Sequence, residues 1–444
     1  MSDQTVPRSH QFEPDDLVAD ELVTLAEQGA DTSDLERWAQ ATTGTLMGAR
    51  ARARAFYELA AEARTLPSFG FVEPSSLSGI RAEAADLAPS CDGQVSEYED
   101  RVLAAWQGRA AGCCLGKPVE GTWWTRTRLR EYLERCGAYP LDDYVPGDGL
   151  LPPDAERHPS WDVATRGRVQ GMPRDDDIDY TILNLHLLEG PGAGFSSQDV
   201  AWEWLHHLPL GLTYTAERVT YRNLAAGLAP DAAGGVHNPY REWIGALIRA
   251  DVFGYVLPGR PHDSAELAYR DAWLSHRRNG IYGEMWAAAL VSAAFACNSA
   301  EQAVLVALAE VPARSRTAHY VRQVVEIFRL ARPWEQAMEL IESELGSYSW
   351  IHTVNNAAAL AAALLWGEGD FGRTIGLAVE AALDTDSIGA TAGSVFGALH
   401  GTKAIDGHWL APLGERIHTA VVGEQAGSFR SFAERTIRVA EALA

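Results

Sequence analysis

Residues 108–116 read Gly-Arg-Ala-Ala-Gly-Cys-Cys-Leu-Gly, with a glycine at every fourth position. Inside a helix each glycine costs about 1 kcal/mol of helix propensity relative to alanine. A stripe of glycines on one helix face is expected where another backbone approaches closely, an arrangement best known from membrane helices. The stretch therefore predicts a buried helix whose backbone contacts a neighbouring segment.

A second stripe follows much later in the chain, at Gly389, Gly393, Gly397 and Gly401, with alanine and serine between the glycines. Neither stripe is apolar enough to span a membrane. The longest purely apolar run in the chain, residues 357–366, has ten residues, about half of the ~20 that a membrane helix needs. The two stripes predict two buried helices with close backbone contacts, and contact with each other is one arrangement.

The rest of the sequence predicts an all-α fold, because the helical period of 3.6 dominates and alternation of Val, Ile and Thr is scarce. Residues 15–64 indicate two or three helices, and the proline-interrupted residues 66–95 indicate a linker. Residues 139–174 contain six prolines and no clear period. An irregular segment of this length is typical of a functional loop or a lid.

Composition excludes several classes of function. The chain has 444 residues and a net charge of −23, which argues against a nucleic acid or an anionic membrane as partner. The N-terminus is polar, without the basic start and apolar core of a signal peptide, so we expect a cytoplasmic protein. Five cysteines without a C-x-x-C pair argue against a disulfide framework and a cysteine zinc site.

Three consecutive aspartates, Asp175, Asp176 and Asp177, precede an apolar helical pattern that begins at Ile178. One aspartate is expected at a helix N-terminus, where it caps the helix and matches the helix dipole. Only one side chain can occupy the cap position. The repulsion among the three therefore requires a cation, an arginine or free solvent.

A second acidic cluster, Asp384-Thr385-Asp386-Ser387, leads directly into the second glycine stripe, and Glu120 follows the first stripe. Carboxylates beside buried helices are costly unless they are paired or bind a metal. Oxygen ligands from Asp, Ser and Thr select Mg²⁺, Mn²⁺ or Ca²⁺. Two acidic clusters and a glutamate, each next to a buried helix end, predict a two-metal centre.

These three places resemble the motifs of the ADP-ribosylglycohydrolase family. Residues 108–120 are similar to the family's opening motif, residues 174–179 to its Thr-Asp-Asp-Thr motif, and residues 384–393 to its Asp-Thr-Asp-Thr closing motif. The resemblance covers residues 98–415. It implies an all-α bundle with two Mg²⁺ or Mn²⁺ ions that removes ADP-ribose from modified side chains.

The resemblance also implies roles for individual residues. The implied metal ligands are Asp175, Asp176, Asp177, Asp384, Asp386 and Ser387. The implied catalytic groups, any of which could take a proton from water, are Asp176, Asp177 and Glu120. The implied substrate-binding residues are Glu120, Gly245, Arg249 and His276. A structural histidine is an equally good interpretation of His276.

The sequence departs from the family pattern at several positions. Asp175 stands where the family has threonine and adds a negative charge, Ile178 replaces a hydroxyl residue, and Cys113 stands where the family often has aspartate. The family's glycine-rich substrate loop is only partly matched around Gly245. These departures do not change the fold or the metal centre that the resemblance implies, but they do not fix the identity of the substrate.

The resemblance implies hydrolysis at the anomeric carbon of a ribose through an oxocarbenium-like state. The first hypothesis is a metal-dependent hydrolase acting on an ADP-ribosylated protein. The alternatives are an N-ribosyl hydrolase acting on a small nucleoside or nucleotide, and a non-catalytic binding member of the fold.

The chain divides into two parts on this interpretation. Residues 1–95 are a helical N-terminal extension with its linker, and residues 96–444 are the catalytic domain. The extension carries no chemistry in its sequence. It is expected to pack on the catalytic domain, to mediate self-association or to select a partner.

Overall fold

The computed structural model describes residues 17–42, 48–84, 93–147, 151–155, 157–424 and 426–444. It is about 64% helical, which confirms the predicted all-α fold. The described strands are two short antiparallel segments, β1 (Ile417–His418) and β2 (Ala426–Gly427), in which Ile417 pairs with Gly427.

The first half of the chain contributes the N-terminal helices and the first helices that border the acidic clusters. Their bounds are α1 Val18–Glu27, α2 Ser33–Thr42, α3 Ala49–Ala60, α4 Leu77–Glu83, α5 Tyr98–Gly116, α6 Arg126–Cys136, α7 Trp161–Ala164, α8 Asp176–Glu189, α9 Ser197–His207, α10 Thr215–Ala225 and α11 Pro230–Ala233. A 3₁₀ turn at Lys117–Val119 continues directly from α5.

The second half supplies the most deeply buried helices. Their bounds are α12 Asp251–Val256, α13 Pro261–Ala272, α14 Asn279–Ala294, α15 Ala300–Ala307, α16 Arg316–Arg329, α17 Trp334–Leu345, α18 Thr353–Trp366, α19 Phe371–Glu380, α20 Thr385–His400, α21 Gly407–Leu410 and α22 Phe429–Leu443. Every residue of α14 and of α18 is buried. These two helices and the pair α5 and α20 form the centre of the hydrophobic core, because most of their residues are buried.

The two glycine stripes lie against each other. A Cβ atom added at Gly112 would stand 1.9 Å from the carbonyl oxygen of Gly389, and one added at Gly393 would stand 2.0 Å from that of Gly108. Any side chain at these positions would push the two backbones apart. The prediction of two buried helices in close backbone contact is therefore confirmed, with α5 and α20 as each other's partner.

The N-terminal extension packs on the helical core through polar contacts. The Thr24 hydroxyl donates to the carbonyl oxygen of Pro239 at 2.6 Å, and the Tyr240 hydroxyl donates to Asp20 at 2.6 Å. Further along, the buried carboxylate of Glu73 accepts hydrogen bonds from Arg316. These contacts attach α1 and the following segment to the same face of the core.

Three local expectations are wrong. The segment predicted as a linker contains α4, which begins after Ser76 because the Ser76 hydroxyl accepts a hydrogen bond from the amide of Gly79. Residues 243–253 have the apolar spacing of a helix, which predicts one there, but they form a 3₁₀ turn, Ile244–Arg249, followed by the short α12. Cys297 is disulfide-bonded, although cysteine spacing argued against such bonds.

No helix in the described parts of the chain is both long enough and apolar enough to cross a membrane.

The contact between α5 and α20 generates a stability prediction. Gly112→Ala should destabilise the protein by at least about 1–3 kcal/mol, since the new Cβ must displace the backbone at Gly389. Gly407→Ala is the matched control, because a Cβ there meets no atom within 4 Å. Urea unfolding of both variants measures the difference, and equal free energies of unfolding would contradict the close packing.

Candidate functional site

The acidic motifs meet because the ends of α5 and α20 are joined. The Thr385 hydroxyl, at the start of α20, donates to the carbonyl oxygen of Gly116, at the end of α5, at 3.0 Å. Glu120 follows the 3₁₀ turn after α5, and Asp384 immediately precedes α20. The close packing of the glycine stripes thus brings Glu120 and Asp384, which are far apart in the sequence, to one place.

Glu120, Asp384 and Asp386 form the first group of carboxylates, in which one oxygen from each residue lies within 4.8 Å of the others. Carboxylate charges this close together repel one another unless a proton or a cation lies between them. The arrangement therefore has the character of a cation site.

The pKa values of this group are raised. Burial, and then the charges of neighbouring carboxylates, raise the pKa of Asp384 and of Asp386 well above the ordinary value. Burial raises the pKa of Glu120 to about 7. Within the described part of the chain, no lysine or arginine forms an ion pair with these three residues, and His158 is the partner recorded for Glu120. The charge of Lys117 opposes the rise for Glu120 and for Asp386, although the ion pair of Lys117 is with Asp175. Three oxygen donors that are not directly paired with a lysine or arginine fit a divalent ion such as Mg²⁺ or Mn²⁺.

Cys113, Asp175 and Asp177 form the second group, again with one ligand atom each within 4.8 Å of the others. Here the charges are already compensated. The ammonium of Lys117 donates a hydrogen bond to Asp175, and the fully buried guanidinium of Arg109 lies 3.7 Å from Asp177. Burial raises the pKa of the Cys113 thiol well above its usual value, which leaves it a neutral and soft donor.

Asp175 has a second task, as the N-cap of α8. Its carboxylate accepts a hydrogen bond from the amide of Asp177 at 2.9 Å. Burial alone would raise the pKa of Asp175, but the charges of Lys117 and Arg174 and the hydrogen bond from Lys117 lower it to about 2. The second group therefore fits a divalent ion less well than the first, because an ion there must displace Lys117.

Asp176 and Ser387, the remaining predicted metal ligands, are members of neither group. The Ser387 hydroxyl donates to Asp177 at 3.3 Å and so connects the start of α20 to the start of α8. Asp176 belongs to neither group, although it feels the charges of Asp175 and Asp386. Burial, and next the charge of Asp175, raise the pKa of Asp176 to about 7.

The three other predicted substrate-binding residues form a cluster of their own around Glu217. Arg249 is fully buried and pairs with Asp271 and with Glu217, the latter at 2.6 Å. A Cβ at Gly245 would stand 2.3 Å from a carboxylate oxygen of Glu217, so the glycine makes room for this carboxylate. The side chain of Arg249 is thus engaged inside the protein, and a role for it in substrate binding stays a prediction.

His276 is also fully buried, with Nδ1 2.7 Å from the Ser275 hydroxyl and Nε2 3.9 Å from Glu217. Burial lowers its pKa well below the usual value, so the ring is neutral. The structure brings His276, Gly245 and Arg249 together. Among the described contacts, none joins them to the two carboxylate groups.

The irregular segment 139–174 reaches the site through His158. Its Nε2 lies 3.4 Å from Glu120, and its Nδ1 lies 2.6 Å from the Ser160 hydroxyl. Ser160 in turn donates to the carbonyl oxygen of Lys117 at 3.2 Å. The segment predicted as a functional loop therefore contacts the first carboxylate group directly.

Sequence reasoning gave no role to Lys117, Arg109 or His158. A signal for Lys117 was present, because it is one of two lysines among 37 basic residues. Nothing in the sequence shows that its ammonium reaches Asp175, which lies 58 positions later. Arg109 falls inside the first glycine stripe, where an arginine in an otherwise buried helix indicates a buried ion pair.

Comparison with known proteins identifies a family. A sequence profile described as ADP-ribosylglycohydrolase matches residues 94–441. Among solved structures, a chain described as "ADP-ribosylglycohydrolase-related protein complex" is 23% identical, with a TM-score of 0.49, over 78% of this chain and 99% of its own length. No curated protein matches the sequence. The profile match includes both glycine stripes and both carboxylate groups.

The pairing of Lys117 with Asp175 generates a stability prediction. Lys117→Met should cost about 3–5 kcal/mol at pH 7, because it leaves the buried Asp175 charge uncompensated. Adding Asp175→Asn should restore much of this loss, since asparagine still caps the helix and carries no charge. A double-mutant cycle by chemical denaturation measures the coupling. A double variant as unstable as the single one would contradict the pairing.

The raised pKa values predict how the stability of the metal-free protein depends on pH. Groups whose folded pKa is raised, here Glu120 and Asp176 at about 7, stabilise the fold at pH values below their unfolded pKa. This contribution is lost as the pH rises through about 7. Chelator-treated protein should therefore melt at a lower temperature at pH 8 than at pH 6.

Glu120→Gln removes one titrating group, so it should reduce the fall in melting temperature between pH 6 and pH 8. Saturating Mn²⁺ should remove most of this fall, because the ion competes with protons. Thermal unfolding between pH 5 and 8 measures both effects. An equal change in melting temperature with pH for the wild type and for Glu120→Gln would contradict the raised pKa of Glu120.

Proposed function

The chain belongs to the ADP-ribosylglycohydrolase family, and we propose that it is a metal-dependent hydrolase that releases ADP-ribose from a modified protein side chain. The observation that carries this proposal is the group of Glu120, Asp384 and Asp386, in which one carboxylate oxygen from each residue lies within 4.8 Å of the others. Such a set of buried oxygens is costly unless it binds a cation.

Glu120, Asp384 and Asp386 would hold a divalent ion, Mg²⁺ or Mn²⁺. Bound there, the ion would supply a Lewis acid that orients the ribose hydroxyls and polarises a water. A second ion would use Asp175 and Asp177, and it would have to compete with Lys117 for Asp175. We therefore propose that the first group is the tighter of two metal positions.

Asp176 is the residue best placed to accept the proton of the attacking water. Asp177 is held by Arg109 and Ser387, and Glu120 belongs to the first carboxylate group. Asp176 lies outside both groups, is partly exposed, and has a pKa of about 7. A base works most effectively when its pKa lies near the working pH.

The reaction adds water across the bond between the ribose anomeric carbon and a nitrogen or oxygen of the modified side chain. The water oxygen bonds to the anomeric carbon as that bond breaks, and its electron pair stays with the leaving nitrogen or oxygen. One water proton passes to Asp176 and is returned to the leaving group, directly or through solvent, which completes the hydrolysis. The developing positive charge on the ribose ring is stabilised by the surrounding carboxylates, as in glycoside hydrolysis in general. Lys117 and Arg109 keep Asp175 and Asp177 in place throughout.

The loop that carries His158 would cover the site. His158 lies 3.4 Å from Glu120, and the neighbouring Ser160 donates to the carbonyl oxygen of Lys117. A covering loop excludes bulk water and strengthens the electrostatic interactions inside the site. We propose that this loop also contacts the modified substrate, and that an acidic protein binds the anionic ADP-ribose group through the bound cations.

The decisive experiment measures release of free ADP-ribose from modified proteins that carry arginine, serine and other linkages, with Mn²⁺ or with chelator. The proposal predicts release that depends on the metal. Asp176→Asn should lower kcat by about 10²–10⁴-fold and leave Mn²⁺ binding nearly unchanged, because a base is lost. Asp386→Asn should weaken Mn²⁺ binding itself. Asp263→Asn, an exposed residue paired with Arg260, is the matched control.

Two outcomes would contradict the proposal. Turnover of free nucleosides or nucleotides with none on modified protein would favour an N-ribosyl hydrolase, a function that the departures at Asp175 and Ile178 leave open. Absence of metal-dependent turnover on every substrate would favour a binding protein.

A further inference from the structure

A cluster of two histidines and a glutamate lies outside the proposed catalytic site. His186 is in the last turn of α8, and Glu203 and His207 are one turn apart in α9. One ligand atom from each of the three lies within 4.8 Å of the others. His186 is ten residues beyond Asp176 in the same helix, about 15 Å along its axis, so the cluster is distinct from the two carboxylate groups.

The donor atoms converge on one point. Nδ1 of His207 lies 2.9 Å, and Nδ1 of His186 lies 3.3 Å, from the same carboxylate oxygen of Glu203. Ligands bound at 2.0–2.2 Å around a tetrahedral ion are roughly 3.3 Å apart. Small side-chain adjustments would therefore bring all three donors within coordination distance of one ion.

Both ring nitrogens of His186 face carboxylates, Nδ1 at 3.3 Å from Glu203 and Nε2 at 2.7 Å from Glu424, which is itself held by Arg435 at 2.6 Å. The hydrogen bonds to Glu203 and Glu424 raise the pKa of His186, because they favour the imidazolium. A metal ion bound between His186 and Glu203 would take the place of the proton on Nδ1, and the proton on Nε2 would remain on the Glu424 side. Nδ1 of His207 is buried and makes no well-formed hydrogen bond.

We propose that His186, Glu203 and His207 bind a Zn²⁺-class transition-metal ion. Two imidazoles and a carboxylate select zinc over magnesium or calcium. Glu424 would orient His186 from the outer shell, the arrangement in which metal-bound histidines are usually found. The side chains of His186 and His207 are 21% and 26% exposed, which leaves the ion a path from solvent and a position for a water.

The ion would fasten the end of α8 to the end of α9. Both helices terminate within a few residues of the cluster, at Glu189 and His207. Glu424 comes from the segment that connects β1 with β2. A structural role follows from this position, and it does not depend on the hydrolase function proposed above.

The test is Zn²⁺ binding to the chelator-treated full chain by calorimetry, with Co²⁺ absorption to report the coordination geometry. Both are performed in the Asp386→Asn background, so that the first carboxylate group does not contribute. His207→Ala should weaken Zn²⁺ binding at least about tenfold. His206→Ala is the matched control, because the neighbouring His206 stacks on Trp202 and lies outside the cluster.

A second variant, Glu424→Gln, should also weaken binding about 10–100-fold, through loss of the outer-shell carboxylate. It keeps the size of the side chain, so it tests the site if His207→Ala fails to fold. Bound Co²⁺ should show the intense visible bands of a four-coordinate site. The proposal is overturned if Zn²⁺ binds no better to the wild-type cluster than to His207→Ala, or if His206→Ala weakens binding equally.

Discussion

The backbone contact between α5 and α20 is the constraint on which the rest of the structure depends. Gly112 and Gly389 approach so closely that neither position has room for a side chain. This contact aligns the end of α5 with the start of α20, where Thr385 bonds to Gly116. Segments that are more than 260 positions apart in the sequence thereby contribute to one cleft, and the helix propensity lost at each glycine is offset by close packing.

Charge compensation is the second constraint. The fold gathers six carboxylates where the two central helices end, and it neutralises them unequally. Lys117 and Arg109 compensate Asp175 and Asp177, so part of the cluster is stable without any ion. For Glu120, Asp384 and Asp386, burial and then the charges of neighbouring carboxylates raise the pKa values. The uncompensated carboxylates therefore lower the stability of the metal-free protein and favour binding of a cation.

Much of the fold could be predicted from local patterns. The glycine period indicated close backbone contact, and the aspartates stood at helix ends because capping and the helix dipole favour them there. The pairing of Lys117 with Asp175 could not be predicted, since it depends on the reach of one side chain across two helices. The same holds for Arg249, whose buried partners Asp271 and Glu217 are visible only in three dimensions. A role for His207 could not be predicted either, because its partner His186 lies on another helix.

The central claim is that the α5–α20 contact builds a cation site from Glu120, Asp384 and Asp386. A crystal structure of the full chain grown with Mn²⁺, with data collected to record the anomalous signal of manganese, tests it most directly. We expect the strongest anomalous peak within coordination distance of oxygens from all three residues, with Lys117 still bonded to Asp175. A peak between Asp175 and Asp177 with Glu120 turned away, or no peak in the cleft, would show that these three residues are not the cation site.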